Sequence, residues 1–274
     1  MKDLKQTILS YANRDLEQRK NWYSPAAAAY NQVRPHYPPN LIQQVVEATQ
    51  LSTAAKILEI GCGPATATVA LAQFGFSMVC LEPNPDFYQL AQQNCQPYPQ
   101  VKIQNISFEE WPLEVEQFDA VLAASSFHWI PATIGYAKAA NALRENGHLI
   151  LLWNKQLQPS YEVYQSLSEI YQAHAPLLDR YEDKETQAKI LQELGQIILD
   201  SGQFKDLVAG HVVSEVTYTV DEYLMLLQTY SPYLELDHKC QNALFAGLRD
   251  RIERDFGGKL QLFYISAFHM AQKR

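Results

Sequence analysis

Cysteine is scarce and scattered. The 274 residues hold four, Cys62, Cys80, Cys95 and Cys240, and none forms a C-x-x-C pair. That leaves a zinc cluster or a disulfide framework without support and points to a reducing, cytoplasmic setting. Long apolar runs are absent too. None reaches the ~20 residues that cross a bilayer, and the opening MKDLKQTILSYANRDLEQRK has neither an apolar core nor a secretory cleavage pattern. No basic run offsets a formal charge of -8, which counts against a partner held by nucleic-acid phosphates. There is no G-x-x-x-x-G-K-[ST], so a P-loop triphosphatase is not expected. No fixed-period repeat and no low-complexity tail are present either. What remains is ordinary globular composition, 47% hydrophobic and 19% charged, long enough for one large domain or two small ones.

Strand and helix patterns alternate from about Leu41 to Asn154. KILEI, FSMVCLEP, VKIQNIS, FDAVLAASS and GHLILLWN read as strands. Between them lie helical stretches. Leu41, Ile42, Val45 and Val46 share one face, Val69 and Ala72 another, and Phe87, Leu90 and Ala91 a third. In PATIGYAKAANAL the spacing selects Ile134, Ala137 and Leu143 as the inward face. The alternation predicts a doubly wound α/β sheet. Ahead of it, an alanine run forms a short helix stopped by Pro35, Pro38 and Pro39. After it the rhythm breaks. Residues 159–201 read as two helices with no strand between them, a small cap. HVVSEVTYTV is a strand, and a long helix carries Cys240, Leu244, Leu248 and Ile252 at intervals of four. A final apolar strand follows Gly257-Gly258.

The sharpest local feature is ILEIGCGPAT, a glycine turn between a strand and a helix. Gly61 and Gly63 permit backbone angles closed to other residues and let a ligand come close. In open α/β sheets ligands sit at the carboxyl ends of the strands. Glu82 ends the next strand, roughly 20 residues on, where a carboxylate can accept both hydroxyls of a ribose. Thr66 stands where a dinucleotide fingerprint has its third glycine, so a ribose is expected and a pyrophosphate is not.

These motifs resemble the class I S-adenosylmethionine-dependent methyltransferases, in particular the small-molecule branch that includes trans-aconitate methyltransferases. Leu58-Glu59-Ile60-Gly61-Cys62-Gly63 matches the first family motif, and Ala65 replaces a frequent further glycine. Glu82-Pro83-Asn84-Pro85 matches the second, with Phe87 near the adenine. Ile106-Ser107-Phe108-Glu109 matches the third, but Ser107 takes the place of the acid that normally accepts the adenine amino group. Phe118-Asp119-Ala120-Val121, running into Phe127-His128-Trp129, matches the fourth. Tyr30-x-x-x-Arg34-Pro35-x-Tyr37-Pro38 is a recurring upstream feature of the branch.

The resemblance implies a Rossmann-like, seven-stranded, mostly parallel sheet with an antiparallel last strand. It implies a single domain over residues 1–274, with an arm of about 1–40 and a cap of about 155–205 over the site. The donor S-adenosylmethionine, leaving as S-adenosylhomocysteine, is expected against Arg34, Glu59, Gly61, Cys62, Gly63, Glu82, Pro83, Phe87, Ser107, Phe108 and Ala124. A small-molecule substrate, with a carboxylate as one candidate, is expected near Tyr30, Tyr37, His128, Trp129 and Tyr230. No metal, nucleic acid or membrane is expected, and the chain is a monomer or homodimer. Arg34 has two readings, an anchor for the donor's carboxylate or for the substrate's. His128 is the one candidate base, and it can equally serve to order its loop. An NAD-dependent oxidoreductase and a non-catalytic cofactor-binding protein are the alternatives.

Overall fold

The computed structural model describes residues 10–274; the first nine residues of the expected arm lie outside them. After helix α1 (Leu16–Asn21) and a short 3-10 turn come α2 (Ala27–Val33) and α3 (Pro39–Thr49). Then β1 (Lys56–Ile60), α4 (Thr66–Ala72), β2 (Ser77–Leu81), α5 (Pro85–Asn94) and β3 (Val101–Gln104) alternate. They are followed by β4 (Phe118–Ala124), α6 (Ala132–Ala142) and β5 (Leu143–Asn154). The cap segment contains β6 (Gln158–Pro159), α7 (Tyr161–His174) and α8 (Lys184–Asp200). The chain closes with β7 (Phe204–Thr219), α9 (Val220–Gln228), α10 (Ser231–Leu234), α11 (His238–Phe256) and β8 (Lys259–Lys273).

The sheet runs β3-β2-β1-β4-β5-β8-β6, with β7 also paired to β8. The pairs β1–β2, β1–β4, β2–β3 and β4–β5 are parallel. β8 is antiparallel to β5, β6 and β7. This is the expected α/β architecture with an antiparallel last strand. The two-residue β6 makes the sheet eight-stranded rather than seven. Strand order reverses between β1 and β4, which opens a crevice above their carboxyl ends.

Both faces of the central parallel strands are covered, so they are mostly apolar, whereas edge strand β3 exposes Lys102 and Gln104. Leu58, Ile60, Val121 and Leu149 face one layer with Tyr136, Leu191 and Ile198. Ile57, Met78, Leu122 and Ile150 face another with Leu41, Ile42 and Val45. A third cluster joins the cap to α9 and α11 through Leu167, Tyr171, Leu226, Leu244, Leu248 and Ile252. Cys240, aligned with the last three in sequence, is only partly buried.

The inward face of α6 differs from the periodicity. Ile134 is 41% exposed and Ala137 is also exposed, while Gly135, Tyr136, Ala139, Ala140 and Ala142 are buried; Leu143 is buried as expected, but as the first residue of β5. A Cβ on Gly135 would meet Ile130 and Phe127 side chains at 3.2 Å. Small residues let this helix lie close to the β4 loop, and size overrides apolarity in choosing the face. β7 begins at Phe204, seven residues ahead of the expected strand. Asp206 sits in the left-handed region (φ 52°) beside a register shift, and this bulge interrupts the alternation.

Candidate functional site

The crevice holds a cavity of about 460 Å³, the size of a small-molecule site. Its floor is the turn after β1. Gly61 and Gly63 adopt φ +63° and +57°, and Ala65 follows at +69°. A Cβ on Gly61 would stand 2.9 Å from the Cβ of Ser126, whereas one on Gly63 would meet nothing within 4 Å. Gly61 is therefore required by the β4 loop. Gly63 keeps open a space that a ligand can use.

Glu82 stands beside this turn and is 5% exposed. The Gly63 N–H donates to one carboxylate oxygen at 2.7 Å, and the Asn84 N–H to the other at 2.8 Å. Burial pushes its carboxyl up to about 7 against the pull of those two bonds. A carboxylate offers about four acceptor positions. Two are filled by backbone, which leaves capacity for a vicinal diol. Asn84 caps α5 by accepting from the Asp86 and Phe87 N–H groups. It thereby seats Phe87 against Tyr30 and Tyr23, at ring distances of 5.1 and 5.8 Å.

Beyond β3, Ser107 and Phe108 close the cavity. The Ser107 hydroxyl donates to Glu110 at 2.7 Å and accepts from the Glu110 N–H at 3.3 Å. The N-terminal arm roofs this side. Arg19 bonds Glu109 at 2.6 Å and the Trp129 carbonyl, Lys20 bonds Glu110 at 2.9 Å, and Asn84 donates to the Lys20 carbonyl at 2.8 Å.

Arg34 lies where α2 ends. Its Nε donates to the Thr229 hydroxyl at 2.7 Å and its Nη2 to the Thr229 carbonyl at 2.6 Å. The rings of Tyr30 and Tyr230 cover the guanidinium at 4.6 and 4.1 Å. No carboxylate pairs with it among the described residues. Tyr230 accepts the Leu157 N–H at 3.2 Å. Tyr37 shares a hydrogen bond with Ser125, whose φ of +56° marks a strained turn at the end of β4.

His128 is partly buried among Tyr11, Trp129 and Trp153, with ring distances of 5.7 to 5.9 Å. Its Nδ1 has no partner, and burial pushes its pKa down to about 4. It is a neutral imidazole at pH 7, and no acid among the described residues pairs with it to raise its basicity.

The cavity thus brings together Tyr30, Arg34, Tyr37, Gly61, Cys62, Gly63, Glu82, Pro83, Phe87, Ser107, Phe108, Ala124, His128, Trp129 and Tyr230. Glu59 stands apart. It is fully buried beneath the turn and accepts from Thr68 at 2.6 Å, and burial raises its carboxyl to about 8. Cys62 is buried with its thiol pKa well raised, chiefly by its bond with Cys80 and then by burial, so it is a poor nucleophile.

The sequence reading missed Asn84, Trp153, Lys155 and Arg180, which also line the cavity, and Thr229 behind Arg34. Asn84 was legible as the cap ahead of Pro85; the others have no local signal. Five cations line the cavity (Arg19, Lys20, Arg34, Lys155 and Arg180) against two acids, Glu82 and Glu109. The balance is opposite in sign to the whole chain. Among the described residues no group of three or more His, Cys, Asp or Glu could hold a metal ion. Nor is any helix among them long and apolar enough to cross a membrane.

Residues 57–147 match the family model described as a methyltransferase domain. An uncharacterised methyltransferase of Mycobacterium tuberculosis is 31% identical over 132 residues, 48% of this chain and 51% of that protein. A Schizosaccharomyces pombe uncharacterised methyltransferase is 26% identical over 128 residues, 46% of this chain and 50% of that one. The chain therefore spans about half the length of the curated relatives it matches. Among solved structures, a candidate type II methyltransferase from Anaeromyxobacter dehalogenans aligns with a TM-score of 0.64 at 21% identity. That alignment covers 87% of this chain and 97% of that one. A Geobacter sulfurreducens SAM-dependent methyltransferase, solved with S-adenosyl-L-homocysteine, aligns at 0.51 and 14% identity over 92% and 98%. The fold is that of solved methyltransferases, and one third of the chain, residues 57–147, matches the methyltransferase-domain family.

Proposed function

We infer that this chain is a class I S-adenosylmethionine-dependent methyltransferase acting on a small organic acid. The observation that carries the reading is Glu82. Its buried carboxylate lies beside the Gly61–Gly63 turn with acceptor capacity left for a ribose diol. The space beside Gly63 and the aromatic wall at Phe87 fit a nucleoside whose chain crosses the turn. Thr66 at the third fingerprint position disfavours the nicotinamide dinucleotide alternative.

Bound there, S-adenosylmethionine supplies a methyl group on a cationic sulfur together with its own leaving group. The protein's work is then alignment and the exclusion of water. Glu82 takes the hydroxyls, the glycine turn admits the chain, and the arm covers the donor. Arg34 anchors the substrate's carboxylate. It is held by Thr229 and two tyrosine rings, and it has no acid partner among the described residues. The cationic lining supports an anionic substrate. A carboxylate is ionised at pH 7 and needs no base, in keeping with a His128 that burial keeps neutral. The compact aromatic cavity favours the small-molecule branch, and a polycarboxylate like that of trans-aconitate methyltransferases is the leading acceptor.

A donor-depletion screen tests this with wild type, Arg34→Lys and His128→Asn against acids, phenols, amines and thiols. Acids are expected to turn over. Lysine cannot keep both bonds to Thr229, so Arg34→Lys should lose activity about tenfold or more. His128→Asn should retain it. Silent acids with reactive phenols, and loss of that reaction in His128→Asn, would make His128 the base and overturn the acid reading.

A further inference from the structure

β7 is an outer edge of the sheet. It pairs with β8 from Phe204 to Thr219, while β8 carries β5 and β6 on its other side. No strand among the described residues pairs with the far edge of β7, so alternate N–H and C=O groups there point outward. Sheet proteins guard such edges with lysine, proline or a bulge. Here the guards stop early. Lys205 and the bulge at Asp206 protect one end, and the chain turns into α9 after Thr219. Between them residues 209–217 read AGHVVSEVT, with no lysine, arginine or proline.

One face of this segment meets solvent. Ala209, His211, Val213, Glu215 and Thr217 share it and are exposed, Val213 by 43%. On the other face Val212 and Val216 pack against the core. Two identical antiparallel strands are self-complementary about a two-fold axis, and the registers open to them keep like faces together. The register centred on Val213 sets this side chain against its own copy. It also sets His211 opposite Glu215 twice, once on each side, and Ala209 opposite Thr217. An imidazole N–H donates to a carboxylate, and no hydrogen bond or ion pair holds His211 among the described residues. Centring the axis one residue either way faces Val213 with His211 or Glu215 instead. We propose that the β7 edge joins two copies of this chain into a two-fold dimer with Val213 at the axis, so that one sheet runs through both. No β7 residue lines the cavity, so the proposal is independent of the donor reading.

Sedimentation velocity of the full chain over a concentration series tests this. Wild type should pass from monomer to dimer as concentration rises, and amide exchange over residues 209–217 should slow in step. Val213→Lys sets like charges at the axis and should weaken association about tenfold or more. His211→Glu sets two carboxylates against each other in each pair and should weaken it to a similar extent. His211→Glu combined with Glu215→Lys restores opposite charges and should return the dissociation constant to within about threefold of wild type. All three substitutions lie at exposed positions, and circular dichroism of each variant checks that it is folded. A wild type that stays monomeric at every concentration overturns the proposal. So does a dimer that Val213→Lys and His211→Glu leave unchanged, which would place the contact on another face. Recovery in the double variant but not in His211→Glu alone supports this edge and this register.

Discussion

Two buried acids beside one glycine turn have opposite duties, and pH separates them. Glu82 lines the cavity with a carboxyl pushed up to about 7 by burial. Donated hydroxyls favour its ionised form, so binding lowers its pKa. S-adenosylhomocysteine affinity should therefore rise between pH 6 and 8 and level off above, with proton release near pH 7. Titrations at several pH values, repeated in buffers of different ionisation heat, check this; pH-independent binding would contradict it. Glu59, pushed up to about 8 chiefly by burial, accepts from Thr68 and Cys80 beneath the turn, and the Glu82 charge raises it further. Its folded pKa lies above its unfolded value. Its contribution is fully present below about pH 4.5 and is lost as pH rises through about 8. Glu59→Gln keeps an acceptor for Thr68 and removes that loss. The variant should gain stability relative to wild type at pH 9 compared with pH 5, read by urea unfolding, with ligand affinity unchanged at pH 8.

At the scale of elements, α1 is held by polar contacts and the sheet by apolar burial. α1 has no buried residue and reaches the β-strand loops through Arg19, Lys20 and Asn84. Arg19→Gln removes the pair with Glu109, whose side chains are 10% and 14% exposed. Amide exchange over residues 16–34 should speed up, while global stability changes by no more than about 1–3 kcal/mol. Unchanged protection of the arm would show that its aromatic contacts hold it alone. Elements also mark where sequence reading succeeds. The core strands announce themselves as short apolar runs between turns, and Pro39, Pro85 and Asn84 mark helix starts. α6 was misread because periodicity weighs apolarity and not volume. β7 was shortened because the bulge at Asp206 breaks the alternation.

At the scale of the molecule, half of the site is local and half is assembled. The Gly61–Gly63 turn, Glu82 and the Phe127-His128-Trp129 loop follow single strands, so they can be read along the chain. Arg34 meets Thr229 across 195 positions, and Arg180 reaches the cavity from the segment between α7 and α8. Such partners are chosen by sheet order and cap packing, which no short window records. The same holds for the cationic lining of an acidic chain, a property of the folded crevice alone. Equilibrium titration of S-adenosylhomocysteine into wild type and Glu82→Ala, with NAD as the comparison ligand, tests the central claim most directly. One S-adenosylhomocysteine per chain should bind, NAD should not, and Glu82→Ala should weaken binding about tenfold to hundredfold while staying folded. Tight NAD binding with none of S-adenosylhomocysteine, or an affinity that Glu82→Ala leaves unchanged, would contradict it.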